Sequence, residues 1–299
     1  MHGPVAAIDC GTNTIKLLVG ALPEVAVRTS RMIRLGEGVD ATGRLAPQAL
    51  ERAFAAVEEY AAIIAAHGVP TERIRFCATS ATRDAENAAA FSDGVLARLG
   101  VRPEVLSGTE EAALAFSGAV RGLGEADRPV LVVDVGGGST ELILGDTAVT
   151  ASHSMDIGSV RLHERHLHSD PPTAEEIAAC VADIDAHLDA CPVDAADGAT
   201  VVGVAGTFTS VAAGVLDLTA FDADAIDHAR LPMAAVHDLC ERLVAMTVSE
   251  RLELGWMHPG RADVIDAGAL IVSRVLARTS APHLVIAEAD ILDGIAWSI

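Results

Sequence analysis

A chain of 299 residues with 51% hydrophobic residues can bury one large core or two medium ones, and at 3% aromatics that core is mostly Ala, Val, Leu and Ile. A formal net charge of −21 repels nucleic acid and long polyanions at a distance, so any phosphate must be held by local donors and a metal. No apolar run reaches the roughly 18 residues of a membrane span. The N-terminus MHGPVAAID lacks a signal-peptide pattern, and Cys10, Cys77, Cys180, Cys191 and Cys240 are scattered without C-x-x-C, as reduced thiols in a cytosol would be.

In chain order, Val5–Leu22 reads as a β-hairpin around Asp9-Cys10-Gly11-Thr12-Asn13. Lys16, the single lysine of the chain, lies at this turn. Val25–Leu35 reads as a third strand whose Arg28, Arg31 and Arg34 are solvated. Pro47 opens a helix over Gln48–His67 that Gly68 stops. Arg73–Ser80 is a buried strand running into Ala81–Asn87 and a helix to Leu99. Arg83 sits just past that strand's C-terminal end, where α/β folds place ligands, with Asp84 or Glu86 as structural partners. Glu104–Leu106 is a short strand. Ser107-Gly108-Thr109-Glu110 matches a capping box opening a helix to about Gly122. Glu110 and Glu111 are adjacent on that helix and point about 100° apart, so they cannot share a role: one caps and the other is free for chemistry.

Gly122–Arg128 reads as a linker between halves at 1–122 and 123–299, and the final helix can pack back on the first half. Val130–Gly145 then repeats the opening hairpin: VLVVD, the glycines Gly136, Gly137 and Gly138, then Ser139, Thr140 and Glu141. Ala6–Gly20 aligns on Leu131–Gly145 without gaps, Asp9 falling on Asp134, Gly11 on Gly136 and Lys16 on Glu141. Successive glycines let backbone N–H groups crowd an anion, and the flanking carboxylates suit a hard cation. Two such turns facing each other would make a cleft with donors on both walls. Ala148–Met155 is a further strand, and Gly158-Ser159-Val160-Arg161 turns into a helix. His163–His168 reads as a solvated helix face, since no acidic third metal ligand stands at helical spacing. Thr173 caps a helix to Ala190 with Glu176. Thr200–Val204 is a strand that enters a helix through Gly206 and Thr207, a ready anion site. Leu231–Met246 and Arg261–Arg278 read as helices, His283–Ala287 as a strand and Ile291–Ile299 as a closing helix.

No G-x-x-x-x-G-K-[ST], no helix-opening G-x-G-x-x-G and no G-x-S-x-G occurs, which sets aside P-loop, dinucleotide and α/β-hydrolase sites. What remains suits phosphoryl chemistry with a divalent metal. The ordered set Asp9–Thr14, Thr79–Asn87, Ser107–Ala112, Asp134–Glu141, Gly158–Arg161 and Gly206-Thr207 resembles the exopolyphosphatase and guanosine pentaphosphate phosphatase family, of the larger group of actin, sugar kinases and chaperone ATPases. The resemblance implies an α/β fold of two ribonuclease-H-like (actin-like ATPase) domains with an interdomain cleft.

It also implies Glu111 as the base that polarises water, and Asp9, Asp134 and Glu141 as carboxylates of a Mg²⁺ or Mn²⁺ site. Asn13, Lys16, Arg83, Gly137, Gly138, Ser139, Thr140, Gly206 and Thr207 would line the phosphates. The implied substrate is inorganic polyphosphate, with the acidic surface and short chain favouring short polymers, or guanosine pentaphosphate in the stringent response. A kinase passing on the γ-phosphate of ATP and a non-catalytic sensor of polyphosphate or alarmone are the other readings. The expected setting is cytoplasmic, without nucleic acid or membrane, and a homodimer is compatible with it.

Overall fold

Two sheets organise the chain. The computed structural model describes residues 3–124, 127–198 and 200–299; Met1 and His2 of the N-terminal stretch and Glu125 and Ala126 of the expected linker lie outside the described residues. Residues up to Gly118 form one compact unit with Ile291–Ile299, and Ala119–Asp290 form the other.

The first unit contains β1 (Val5–Cys10), β2 (Thr14–Ala21), β3 (Glu24–Met32), α1 (Val39–Thr42), α2 (Pro47–Ala66), β4 (Ile74–Ala78), α3 (Ser80–Asp84), α4 (Ala88–Leu99), β5 (Glu104–Val105) and α5 (Gly108–Ala119). Its sheet runs β3-β2-β1-β4-β5, with β1 antiparallel to β2 and parallel to β4. Strand β1 is buried at every residue, as a strand covered on both faces must be, and β3 forms an exposed edge. Helix α2 starts at Pro47, whose missing N–H costs nothing there, and turns Ala49, Ala53, Val57, Tyr60 and Ile64 inward. Tyr60 donates its buried hydroxyl to the Ile15 carbonyl at 3.0 Å, which ties α2 to β2. Arg28 pairs with Asp293 and Arg31 with Glu59, so two of the three strand arginines serve ion pairs within this unit.

The second unit contains β6 (Val130–Val135), β7 (Thr140–Gly145), β8 (Val149–Met155), α6 (Ser159–His166), α7 (Ala174–Ala190), β9 (Thr200–Val204), α8 (Ala205–Val215), α9 (Ala223–Ile226), β10 (Arg230–Pro232), α10 (Met233–Ala245), α11 (Val248–Leu252), α12 (Ile265–Leu276) and β11 (His283–Ile286). The sheet runs β10-β11-β9-β6-β7-β8. Val133, Leu142, Phe208, Val211, Ile271 and Val275 are among its core residues. Arg251 is fully buried, and its guanidinium is bonded to the Leu243 and Ala262 carbonyls and to Asp266. The last helix, α13 (Ile291–Trp297), packs on β1 of the first unit.

The sequence repeat is a repeat of hydrogen bonding. Val5 faces Gly20 and Cys10 faces Ile15 in one unit; Val130 faces Gly145 and Val135 faces Thr140 in the other. Even the ladder irregularity recurs, at Val19/Gly20 and at Leu144/Gly145. Strands β8-β7-β6-β9-β11 repeat the order β3-β2-β1-β4-β5. Each unit is therefore a ribonuclease-H-like sheet of three antiparallel strands extended by parallel ones, and the second adds β10 at its edge.

Several expectations change. The periodic stretch Leu231–Met246 is not one helix: Leu231 pairs with Leu284 in the β10–β11 ladder, and α10 begins only at Met233. Tertiary pairing outweighs local periodicity there. Helix α12 begins at Ile265 rather than Arg261, and the short α1 and α11 carry too few residues to show a period. The histidine-rich α6 is not a solvated face. His163 lies 3.3 Å from Asp266 and His166 lies 2.8 Å from Asp183, so both are half-buried and bonded to carboxylates of other helices. Among the described residues all five cysteines are free thiols, and no helix is long and apolar enough to cross a membrane.

Candidate active site

In the first unit the β1–β2 turn is closed by Gly11 N–H donating to the Thr14 carbonyl at 3.0 Å. Its other carbonyls are bonded from behind. Gly36 N–H reaches the Thr12 oxygen, and Ile33 and Arg34 N–H reach the Asn13 oxygen, each at 2.9 Å. Asn13 is buried, and Thr12 Oγ1 lies 2.9 Å from Ser80 Oγ. Asp9 and Lys16 face each other in register, with Nζ 3.6 Å from Oδ2, so this half carries an internal counter-ion for its acid.

The two glutamates of α5 divide as their geometry requires. Glu110 is the cap: its Oε2 accepts from Ser107 N–H at 2.9 Å and from the Ser107 hydroxyl at 2.7 Å, which hold its pKa below the usual glutamate value. Glu111 turns inward and is 8% exposed. Arg83 Nη1 donates to Glu111 Oε2 at 3.1 Å and to the Leu106 carbonyl at 3.0 Å. The partner of Arg83 is thus Glu111, rather than Asp84 or Glu86. Burial pushes the Glu111 carboxyl up to about 7; the bond and charge of Arg83 pull it down, and the charge of Asp9 adds to the rise. A carboxylate poised near neutrality can take a proton from water.

The second unit repeats the turn. Gly136 N–H donates to the Ser139 carbonyl at 3.0 Å. Here the entry of α6 supplies the bonds from behind. Val160 and Arg161 N–H reach the Gly137 oxygen at 2.9 and 3.0 Å, and Arg161 Nε reaches the Gly138 oxygen at 2.7 Å. Among the described residues no protein acceptor takes the N–H of Gly137 or Gly138. A turn whose oxygens are bonded from behind while two of its amides have no protein acceptor has the chemistry to receive an anion. Gly158 makes the contact possible, since a β-carbon there would lie 2.5 Å from Gly137 C and O and from Gly138 N.

Asp134 and Glu141 face each other in register, both buried, and Ser154 donates its hydroxyl to Glu141 Oε1 at 2.6 Å. Residues opposite one another on antiparallel strands share a face, so two carboxylates stand where the first unit has Asp9 and Lys16. Hard oxygen donors of this kind fit a divalent cation that takes its remaining ligands from phosphate and water. Among the described residues no group of three or more His, Cys, Asp or Glu is arranged to hold a metal ion alone.

Ser139 is buried within the turn. Two other predicted phosphate-lining hydroxyls are bonded within the unit: Thr140 donates to the Ile157 carbonyl at 2.7 Å and Thr207 to the Val135 carbonyl at 3.0 Å. Thr207 thereby holds the start of α8 against the end of β6. At Gly206 sequence reasoning missed a neighbour. The Arg261 guanidinium lies where a Gly206 side chain would be, 1.8–1.9 Å from an ideal β-carbon. Burial pulls the pKa of Arg261 below the usual arginine value against the pull of Glu288 and Asp290. A guanidinium at a helix N-terminus adds positive charge to a positive end. Nothing near Gly206 in sequence signals Arg261; its place is a consequence of the fold. Gly158 and Arg161 belonged to a recognised motif, but their work on the turn is visible only in three dimensions.

The chain is similar to known proteins over nearly its whole length. Residues 15–298 match the model of the Ppx/GppA phosphatase family. The chain is 46% identical over 317 aligned positions to Exopolyphosphatase 2 of Mycobacterium tuberculosis, covering 99% of this chain and 98% of that protein. A crystal structure of an exopolyphosphatase-like protein superposes with a TM-score of 0.95 at 45% identity, over 98% of both chains. An exopolyphosphatase from Cytophaga hutchinsonii superposes with a TM-score of 0.90 at 25% identity, over 99% of this chain and 97% of that one.

Proposed function

Because the chain belongs to the Ppx/GppA phosphatase family, we propose that it is an exopolyphosphatase, releasing the terminal phosphate of inorganic polyphosphate by attack of a water that Glu111 activates. The observation that carries this reading is Glu111 itself: buried, held by Arg83 and balanced near pH 7. Ionised Glu111 accepts a proton from water, the oxygen attacks the terminal phosphorus, the anhydride bond to the next phosphate breaks, and orthophosphate leaves. The names of the similar proteins support polyphosphate as the substrate.

Each unit by itself offers donors suited to phosphate oxygens. Asn13, Lys16 and Arg83 serve in the first. In the second, Gly137, Gly138, Ser139 and the Gly206 helix entry with Arg261 serve, while Thr140 and Thr207 brace them. Asp134 and Glu141 would hold Mg²⁺ or Mn²⁺, which supplies charge neutralisation at the phosphates. Asp9 is balanced by Lys16 instead. A net charge of −21 opposes the approach of a long polyanion and favours short polymers.

The test is phosphate release from short polyphosphate, long polyphosphate and guanosine pentaphosphate, with Mg²⁺, with Mn²⁺ and after chelation. Short polyphosphate is hydrolysed fastest, and only with a divalent ion. A preference for guanosine pentaphosphate transfers the assignment to the sister activity, and no release from any substrate with either metal overturns it.

A further inference from the structure

We propose that the last helix, α13, positions the hydrolytic base, its Gly294 forming the seat against which α5, the helix of Glu111, rests. The proposal rests on Glu111 as the base. Both helices belong to the first unit. At Gly294 the main chain of α13 lies directly against the Leu114 carbonyl of α5. A β-carbon there would overlap that oxygen and stand 2.7 Å from Leu114 C and 2.9 Å from Ser117 Oγ. Only glycine lets two backbones come so close. Ser117 donates its hydroxyl to the same Leu114 carbonyl at 3.0 Å, so the seat on α5 is itself braced. Leu114 follows Glu111 by three residues, less than one turn, which makes seat and base neighbours along the helix.

Helix α13 is in turn held by the sheet. Asp293, beside Gly294, pairs with Arg28 of β3, and Ser298 accepts from Arg75 of β4 at 2.5 Å. Ile291, Leu292, Ile295 and Ala296 are buried, and the helix packs on β1. The partner of Glu111 is fastened separately. Arg83 donates to the Leu106 carbonyl at 3.0 Å, and Leu106 N–H donates to the Ala78 carbonyl at the end of β4 at 2.9 Å. Arg83 therefore stays with the sheet if α5 moves. Restoring an ordinary 3.4 Å contact to Leu114 C displaces one helix by at least about 0.7 Å, and a backbone carbonyl cannot rotate out of the way. A shift of that size is enough to take the 3.1 Å bond between Arg83 and Glu111 out of hydrogen-bonding range. What remains acting on Glu111 is burial and the charge of Asp9, both of which oppose ionisation.

The experiment measures kcat, KM and the pH profile of Gly294→Ala on short polyphosphate with Mg²⁺, beside Gly94→Ala and Glu111→Gln, with urea unfolding of each. Gly94→Ala is the control: its β-carbon presses into the Phe54 ring between α4 and α2 of the same unit. Gly294→Ala lowers kcat by roughly 10- to 100-fold with KM nearly unchanged, and the acid limb moves to higher pH. Gly94→Ala loses stability and keeps the parent's kcat and profile. For the case in which Gly294→Ala does not fold, Ser117→Leu wedges the same crossing with a side chain that can turn aside; kcat then falls by roughly 3- to 10-fold, with the same movement of the acid limb. The parent's kcat and profile in a folded Gly294→Ala, or in Ser117→Leu where the alanine variant does not fold, overturn the seat. An equal fall in Gly94→Ala, or a loss carried by KM, overturns it as well, and these outcomes leave Glu111 as the base. Near-normal turnover by Glu111→Gln overturns the base assignment and this proposal with it.

Discussion

Replacing Gly158 by alanine separates damage to the glycine turn from damage to the fold. The added β-carbon would stand 2.5 Å from Gly137 C and O and from Gly138 N, all backbone atoms that cannot rotate away. The Gly158 backbone, at φ −149 and ψ 165, accommodates any residue, so the effect is contact and not dihedral strain. Restoring an ordinary 3.4 Å contact moves the turn, or the entry of α6, by about 0.9 Å. Overpacking of this kind costs about 1–3 kcal/mol. A displacement near 1 Å in a phosphate-holding group lowers kcat/KM by roughly 10²-fold.

Gly214→Ala is the matched control. Its β-carbon meets Leu239 and Trp256 at 2.6 and 2.7 Å in the core of the same unit. Urea unfolding and phosphate release are measured on both variants. Both lose stability, and only Gly158→Ala loses turnover. If Gly158→Ala is destabilised yet hydrolyses short polyphosphate within about threefold of the parent, the turn does not hold the phosphates.

Two further outcomes follow from single side chains. Glu111→Gln lowers kcat by roughly 10²–10⁴-fold with substrate binding retained, and in the parent the rate rises with pH through about 7, where Glu111 loses its proton; an acid limb in the ordinary carboxylate range excludes Glu111 as the base. Because the folded protein holds that proton up to about 7 and a free glutamate only to 4.5, the residue's contribution to stability falls as pH rises between those values, a slope that unfolding of Glu111→Gln lacks. Thr82 is buried on α3 with a hydroxyl that has no partner among the described residues. Thr82→Val therefore stabilises the protein by about 1 kcal/mol in urea unfolding, and a loss of that size instead reveals a bonded hydroxyl.

The features legible in the sequence were local or repeated. Thr200–Val204 is a strand from its apolar run, and α2 has its Pro47 start and its Gly68 stop. The Thr173–Glu176 capping box forms as read. The doubled strand–turn–strand survived as an alignment because the same ladder is built twice. Adjacent Glu110 and Glu111 separated because helical geometry forces it. The features that escaped are bonds between distant parts of the chain. His163 and His166 carry no local sign of Asp266 and Asp183, and Gly206 carries none of Arg261. Strand β10 is three residues long and merges into the pattern of the helix after it, so only its pairing with β11 reveals it.

The bonds behind the second turn change what three successive glycines mean. Such a sequence is the loosest a chain can have, and a peptide there could swing its oxygen to either side. Rotating the Gly137 carbonyl out of place would break two hydrogen bonds at once. The disorder of the glycines is thus removed when the unit folds, before any ligand arrives. A phosphate bound there as proposed would find these amides already aimed, and would lose little of its affinity to ordering them.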